Sequence, residues 1–262
     1  MDDSNRITWQ ENDKQRSARW RAENGMAPPK RIVVADDTMT ANDAYRLASE
    51  GTALLWRGDF QNAKQLMQAM GRRIDAKAAR KPKVAPTLRD AFNLNRQAQA
   101  QRARTLAMVL LPFDPDYSVP LRRAPDAQRA CVEAWGPPDG SPVVASLREL
   151  LGIIGAYEWR RKGVEVAALG DRVHPHYGVF APIRSEYVDM VATAPLPAPL
   201  PALAFDIGTG TGVLAALLAK RGVAKVIATD QDARALAGAR DNLQRMKLAD
   251  RVEVIEADLF PE

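Results

Sequence analysis

Leu203-Ala204-Phe205-Asp206-Ile207-Gly208-Thr209-Gly210-Thr211-Gly212 is the stretch whose reading decides the fold. An apolar run carrying one carboxylate reads as a buried strand, and three glycines at alternate positions turn the chain. Val213-Leu214-Ala215-Ala216-Leu217-Leu218-Ala219 then continues as a helix closed by Gly222. Outward from there, Lys225-Val226-Ile227-Ala228-Thr229-Asp230 is a second strand ending in a carboxylate, and a helix follows from about 232 to 247. Val252-Glu253-Val254-Ile255-Glu256-Ala257-Asp258 is a third strand, again closed by a carboxylate. Strand, loop, helix, strand, helix, strand is the crossover pattern of a parallel sheet, so residues 202–262 are expected to form the first half of a Rossmann-like α/β domain.

Glycine at a strand-to-helix turn has a purely steric explanation, and dinucleotide sites use it too. The spacing separates the cases. A dinucleotide fingerprint G-x-G-x-x-G requires glycine at 213, where Val213 stands, whereas this loop is G-x-G-x-G with Asp206 two residues ahead of it. A nicotinamide-dependent oxidoreductase would share the fold but fails on that spacing. Carboxylates at strand ends accept hydroxyl and ammonium hydrogens and repel a pyrophosphate, so Asp206, Asp230 and Asp258 suit a cationic, hydroxyl-bearing ligand. Any one of them alone would be read as a helix cap or a solvated strand end.

In these residues the chain resembles the class I S-adenosylmethionine-dependent methyltransferases. The resemblance implies S-adenosylmethionine as cofactor. It assigns Asp206 to the methionine part, Gly208, Gly210 and Gly212 to close backbone approach, Asp230 to the ribose hydroxyls and Asp258 to the adenine amino group. From about residue 173 the chain is similar to the small-methyltransferase-domain group, which includes release-factor glutamine N5-methyltransferases and ribosomal RNA guanine N2-methyltransferases. Tyr177-Gly178-Val179-Phe180-Ala181-Pro182-Ile183-Arg184 stands where that group has an aromatic-x-Pro segment, which implies that Phe180 and Pro182 line the methionine end. His174 and His176 are read as structural loop residues. In that group the fourth strand ends in an Asn-Pro-Pro-aromatic motif that holds the acceptor nitrogen. The sequence ends at Glu262 without one, so no catalytic residue is assigned, and a C-terminally truncated, inactive chain is expected.

Three further segments are expected upstream. Residues 1–37 are polar and contain Pro28-Pro29, and read as a disordered tail. Residues 38–142 read as a helical, basic domain. A helix opens at Thr40 and carries Leu54 and Leu55, a second follows Arg57-Gly58-Asp59-Phe60, and a third starts at Thr87 and runs to Leu106. Prolines between Leu111 and Pro142 leave room for one short helix around 127–135. Residues 143–201 read as a connector: a helix behind the capping box Ser146-Leu147-Arg148-Glu149, a hairpin, and a stiff Pro/Ala loop at 194–201.

Of 262 residues, 46% are hydrophobic, enough for a real core. With one cysteine, Cys131, and two histidines, neither a disulfide framework nor a four-ligand zinc site of cysteine and histidine can be built. The expected compartment is the reducing cytoplasm, and no stretch resembles a signal peptide or a spanning helix. The net charge of +5 is unevenly placed: between Lys64 and Arg104, eleven Lys and Arg stand against Asp75 and Asp90. Such a cationic stretch fits RNA, or a ribosomal or translation-factor protein, as partner and substrate. A basic helical binding module carrying a degenerate methyltransferase half is the alternative reading.

Overall fold

The computed structural model describes residues 5–80, 86–183 and 186–260. The chain falls into two units, Met1–Gly152 and Ile153–Glu262.

The first unit is α/β, not helical, and residues 5–37 of the expected tail form strands and their connections. β1 (Arg6–Glu11) and β2 (Lys14–Trp20) form an antiparallel hairpin, and β3 (Arg31–Ala35) is a third strand. Asn12 and Asp13 sit at φ 52° and 58°, the left-handed pair that a two-residue hairpin turn requires and that these residue types tolerate. Alternation beneath the polar composition does the rest. Ile7, Ala18 and Trp20 are buried in one cluster with Ala53, Leu55, Leu110 and Val144, while their neighbours in sequence face outward.

Leu54 and Leu55 lie in β4 (Thr52–Trp56), not in the helix expected from Thr40; that helix, α1 (Ala41–Ser49), stops before them. All five β4 residues are buried, since the strand pairs in parallel with β3 on one side and β5 (Val109–Phe113) on the other. A short apolar run covered on both faces has no strand periodicity to read. β6 (Val143–Ser146) completes the sheet, whose order is β1-β2-β6-β5-β4-β3. The expected boundary at 142/143 is therefore displaced, because β6 pairs with both β2 and β5 and the first unit extends to Gly152. Helices α2 (Phe60–Arg80), α3 (Leu88–Leu106) and α4 (Gln128–Trp135) stand near the positions expected for them. Ser146 Oγ accepts the Glu149 N–H at 3.0 Å at the start of α5 (Leu147–Lys162).

Asp59, fully buried behind Gly58, ties this unit together. Its Oδ2 accepts from Arg122 Nε at 2.8 Å and Arg123 Nε at 2.7 Å, and its Oδ1 accepts from Gln61 N at 2.8 Å. Its own N–H donates to Asp37 Oδ1 at 2.9 Å. The Arg123 guanidinium foremost, against the cost of burial, holds the Asp59 carboxyl well below the usual carboxylate range. A carboxyl with a lowered pKa contributes stability that is fully present above its unfolded value and is lost progressively as pH falls from there through the folded one. Asp59→Ala is expected to lower the unfolding temperature at neutral pH and to speed tryptic cleavage after Arg122 and Arg123; unchanged melting and digestion would remove the carboxylate from this role.

The second unit holds a parallel sheet in the order β11-β10-β9, formed by β9 (Leu203–Ile207), β10 (Lys225–Asp230) and β11 (Val252–Glu256). Crossover helices α7 (Val213–Lys220) and α8 (Ala233–Arg245) join them in the expected order. Val213, Ala216, Leu217, Val226, Ala228 and Leu243 make its core. A small hairpin of β7 (Val164–Val166) and β8 (Asp171–Val173) precedes α6 (Glu186–Thr193). Among the described residues no helix is long and apolar enough to cross a membrane.

Candidate functional site

The glycine loop sits at the carboxyl end of β9, where open sheets of this kind receive ligands. Gly208, Gly210 and Gly212 all have positive φ, at 73°, 55° and 79°. Two of them face open space: a Cβ on Gly208 would meet nothing within 4 Å, and one on Gly210 would only just reach the Val179 side chain at 4.0 Å. Gly212 faces inward, where a Cβ would lie 3.3 Å from Ala239 of α8. Left-handed backbone alone costs an L-residue about 1–2 kcal/mol. Gly212→Ala is thus expected to destabilise the unit by at least about that amount, read from chemical denaturation; a neutral result would show that loop and helix can part freely.

Asp206 lies at the base of this loop. Its Oδ2 accepts from Thr209 Oγ1 at 2.7 Å and from the Ala215 N–H at 3.0 Å. Gly212, the residue at the N-terminus of α7, has no side chain to cap it, and Asp206 supplies the acceptor from the preceding strand. Oδ1 takes no hydrogen bond among the described residues. Burial pushes the Asp206 carboxyl up, the bonds from Thr209 and Ala215 oppose that, and nearby Asp230 adds repulsion. A raised carboxyl pKa means that stability is greatest below the unfolded value and is lost as pH rises through the folded one. At neutral pH the charge therefore costs stability, and a cationic ligand would offset it. Asp206→Asn is expected to melt at or above the wild-type temperature at pH 7 without ligand, in a thermal melt; a large fall would make the charge a structural requirement.

Asp230 closes β10. Its Oδ2 accepts the Gly210 N–H at 2.9 Å and its Oδ1 the Asp232 N–H at 3.0 Å, so the second carboxylate is fixed against the glycine loop. Asp258, just past β11, is exposed, and its Oδ1 accepts from Gln231 Nε2. Asp230 and Asp258 are thus joined through adjacent residues, and Asp206 senses the charge of Asp230. Phe180 is exposed, with its ring 6.2 Å from that of Tyr187, whose phenol pKa is raised by burial and then by Asp206. Pro182 is buried, and Arg184 lies outside the described residues. Tyr187 carries no motif and was not singled out in the sequence.

Three other positions escaped the sequence reading. The Thr229 carbonyl accepts both the Gly208 and Thr209 N–H groups at 2.8 Å, and its hydroxyl donates to the Leu259 carbonyl at 2.8 Å. Thr209 holds Asp206. Buried Asn242 accepts the His174 N–H at 2.8 Å and donates to the Thr211 carbonyl at 3.0 Å, binding the segment after β8 to the loop through α8. His174 Nδ1 lies 2.6 Å from the Arg160 carbonyl and His176 Nε2 3.1 Å from Asp241 Oδ2, contacts that secure the same segment. Alternating threonines in a glycine loop and an asparagine inside a helix are the available sequence signals, and neither is specific.

Residues 172–262 match the family described as Methyltransferase small domain. This segment is similar to the small methyltransferase domains of the class I group. The ribosomal protein L11 methyltransferase of Desulforamulus reducens is 44% identical over 55 residues, which are 21% of this chain and 18% of that protein. The tRNA1(Val) (adenine(37)-N6)-methyltransferase of Bacteroides fragilis is 42% identical over 62 residues, 24% of this chain and 26% of that protein. The chain thus spans about a fifth to a quarter of the length of these curated relatives. Among solved structures, the N-terminal domain of human METTL16 in complex with SAH is similar over 45% of this chain and 47% of that one, with 18% identity and a TM-score of 0.28.

Proposed function

We propose that the protein is an S-adenosylmethionine-dependent methyltransferase acting on a planar nitrogen of RNA or of a protein glutamine. One observation carries the reading: Asp206, Asp230 and Asp258 close three adjacent parallel strands around a glycine loop that leaves its outer side open. The fit is chemical as well as spatial. A cofactor with an ammonium, a sulfonium and a ribose diol matches the buried Asp206, the partly buried Asp230 and the exposed Asp258, and leaves no role for a phosphate-binding loop.

When bound, the cofactor supplies an electrophilic methyl group on its sulfonium sulfur. The residues of this chain hold and orient it. Asp206, with one oxygen committed to α7, offers the other to the methionine ammonium. Asp230 faces the ribose hydroxyls, Asp258 the adenine amino group, and Gly208 and Gly210 admit the cofactor to backbone contact. Phe180, beside Tyr187, and Pro182 bound the methionine end. Such positioning lowers a displacement barrier by aligning the reacting atoms and needs no general base within these residues. The relatives named for ribosomal protein L11 and for tRNA support an acceptor in the translation apparatus, and with it a cytoplasmic setting.

Titration calorimetry with S-adenosylmethionine and its demethylated product tests the reading. Saturable binding at one site is expected, weakened about tenfold or more in Asp230→Ala, the usual worth of hydrogen bonds to a charged acceptor. A folded wild-type protein that binds neither compound would overturn it in favour of a non-catalytic basic binding module.

A further inference from the structure

We propose that the outer half of the α2–α3 hairpin is an RNA-binding arm that grips the phosphate backbone of a folded RNA. The proposal deepens the methyltransferase reading by naming the surface that holds the substrate, but it stands on the first unit alone.

The two helices enter the core at one end only, and beyond it Arg73 and Lys77 reach Asn42 and Tyr45 of α1. In α2 the buried residues stop at Gly71, and in α3 only Thr105 and Leu106 are buried. From Arg72 to Arg80, and from Leu88 to Arg104, no side chain is buried. Nine residues of helix extend about 14 Å, so the arm reaches well past its packed base. It is stiffened by local means: Thr87 caps α3 by accepting the Asp90 N–H at 3.1 Å, and Arg102 bridges to Asp75 at 2.9 Å. Alanines at 76, 78, 79, 98, 100 and 103 favour helix without packing.

Charge is concentrated there. Residues 64–104 carry a net +9, so the remainder of a chain of net +5 is net −4. Lys81 and Lys83 lie outside the described residues. Within the helices, Arg72, Arg80, Arg89 and Arg96 form no ion pair among the described residues. A solvated structural helix normally balances its cations with acidic residues three or four positions away; here Asp75 is taken by Arg102 and the positive excess is left for a partner. Aromatic rings are interleaved with the cations. Arg73 and Lys77 lie 5.5 and 5.7 Å from the Tyr45 ring, and Arg96 lies 5.8 Å from the exposed ring of Phe92. Tyr45 is half-buried, but exposed cations beside the exposed ring of Phe92 are the pairing that contacts phosphates and stacks on unpaired bases. An acidic protein would meet the cations but gives no use to the exposed ring of Phe92.

The test is fluorescence anisotropy of a labelled RNA stem-loop with the full chain, without cofactor, across a range of salt concentrations. Binding is expected to weaken log-linearly with salt. The variant Arg73→Ala/Lys77→Ala/Arg80→Ala, on exposed positions and verified by circular dichroism, is expected to reduce the slope by about 2 and the affinity at moderate salt by about tenfold or more, in line with about 0.7–0.9 per lost phosphate contact. Phe92→Ala is expected to weaken binding without changing the slope. An unchanged slope in the triple variant, no binding by the wild type at low salt, or equal affinity for heparin would each overturn the proposal. Because cofactor is absent, such a failure leaves the cofactor-binding result untouched.

Discussion

The carboxylate of Asp206 is the constraint around which the second unit is arranged. One side chain joins the end of β9, the glycine loop through Thr209, and the first turn of α7 through Ala215. Because Gly212 stands at the helix N-terminus with no side chain, α7 depends on that carboxylate for its cap. The same Gly212 lets α8 approach to within contact distance at Ala239. Loop, both helices and the strand end are therefore mutually dependent, and the Thr229 carbonyl fixes the loop from β10.

Asp59 in the first unit is also a buried carboxylate, and the comparison separates structure from function. Two guanidiniums meet Asp59, so its charge is compensated and its pKa falls. Among the described residues no basic side chain pairs with Asp206, and its pKa rises. A carboxylate saturated by the protein's own cations holds a fold together; one kept short of a cation is, under the proposed function, the one that meets the ligand's ammonium. Cys131 is a third buried titratable group, and burial pushes its thiol up to about 12, away from the thiolate form.

Two kinds of surface serve one chemistry under the proposed function. The second unit offers carboxylates to a small cationic ligand, and the first carries cations on a helical arm suited to a polyanion.

The sequence by itself determined the strand and helix order of residues 203–256. These strands and helices are set by local signals of few residues: an apolar run, glycines at the turn, a carboxylate at each strand end. Asp206, Asp230 and Asp258 were legible because a strand-to-helix loop draws its geometry from adjacent residues. Helix starts at Thr40, Thr87 and Ser146 were legible for the same reason, a side chain accepting an N–H three residues on. What only the tertiary structure decided depends on partners distant in sequence. β1 and β2 look polar until Ile7, Ala18 and Trp20 find Leu55 and Val144 across the sheet. Leu54 and Leu55 acquire strand geometry from β3 and β5, not from their own period. Tyr187 comes to Asp206, and Asn242 to His174 and Thr211, because packing of α6 and α8 brings them there, and no local pattern encodes an approach between residues so far apart along the chain.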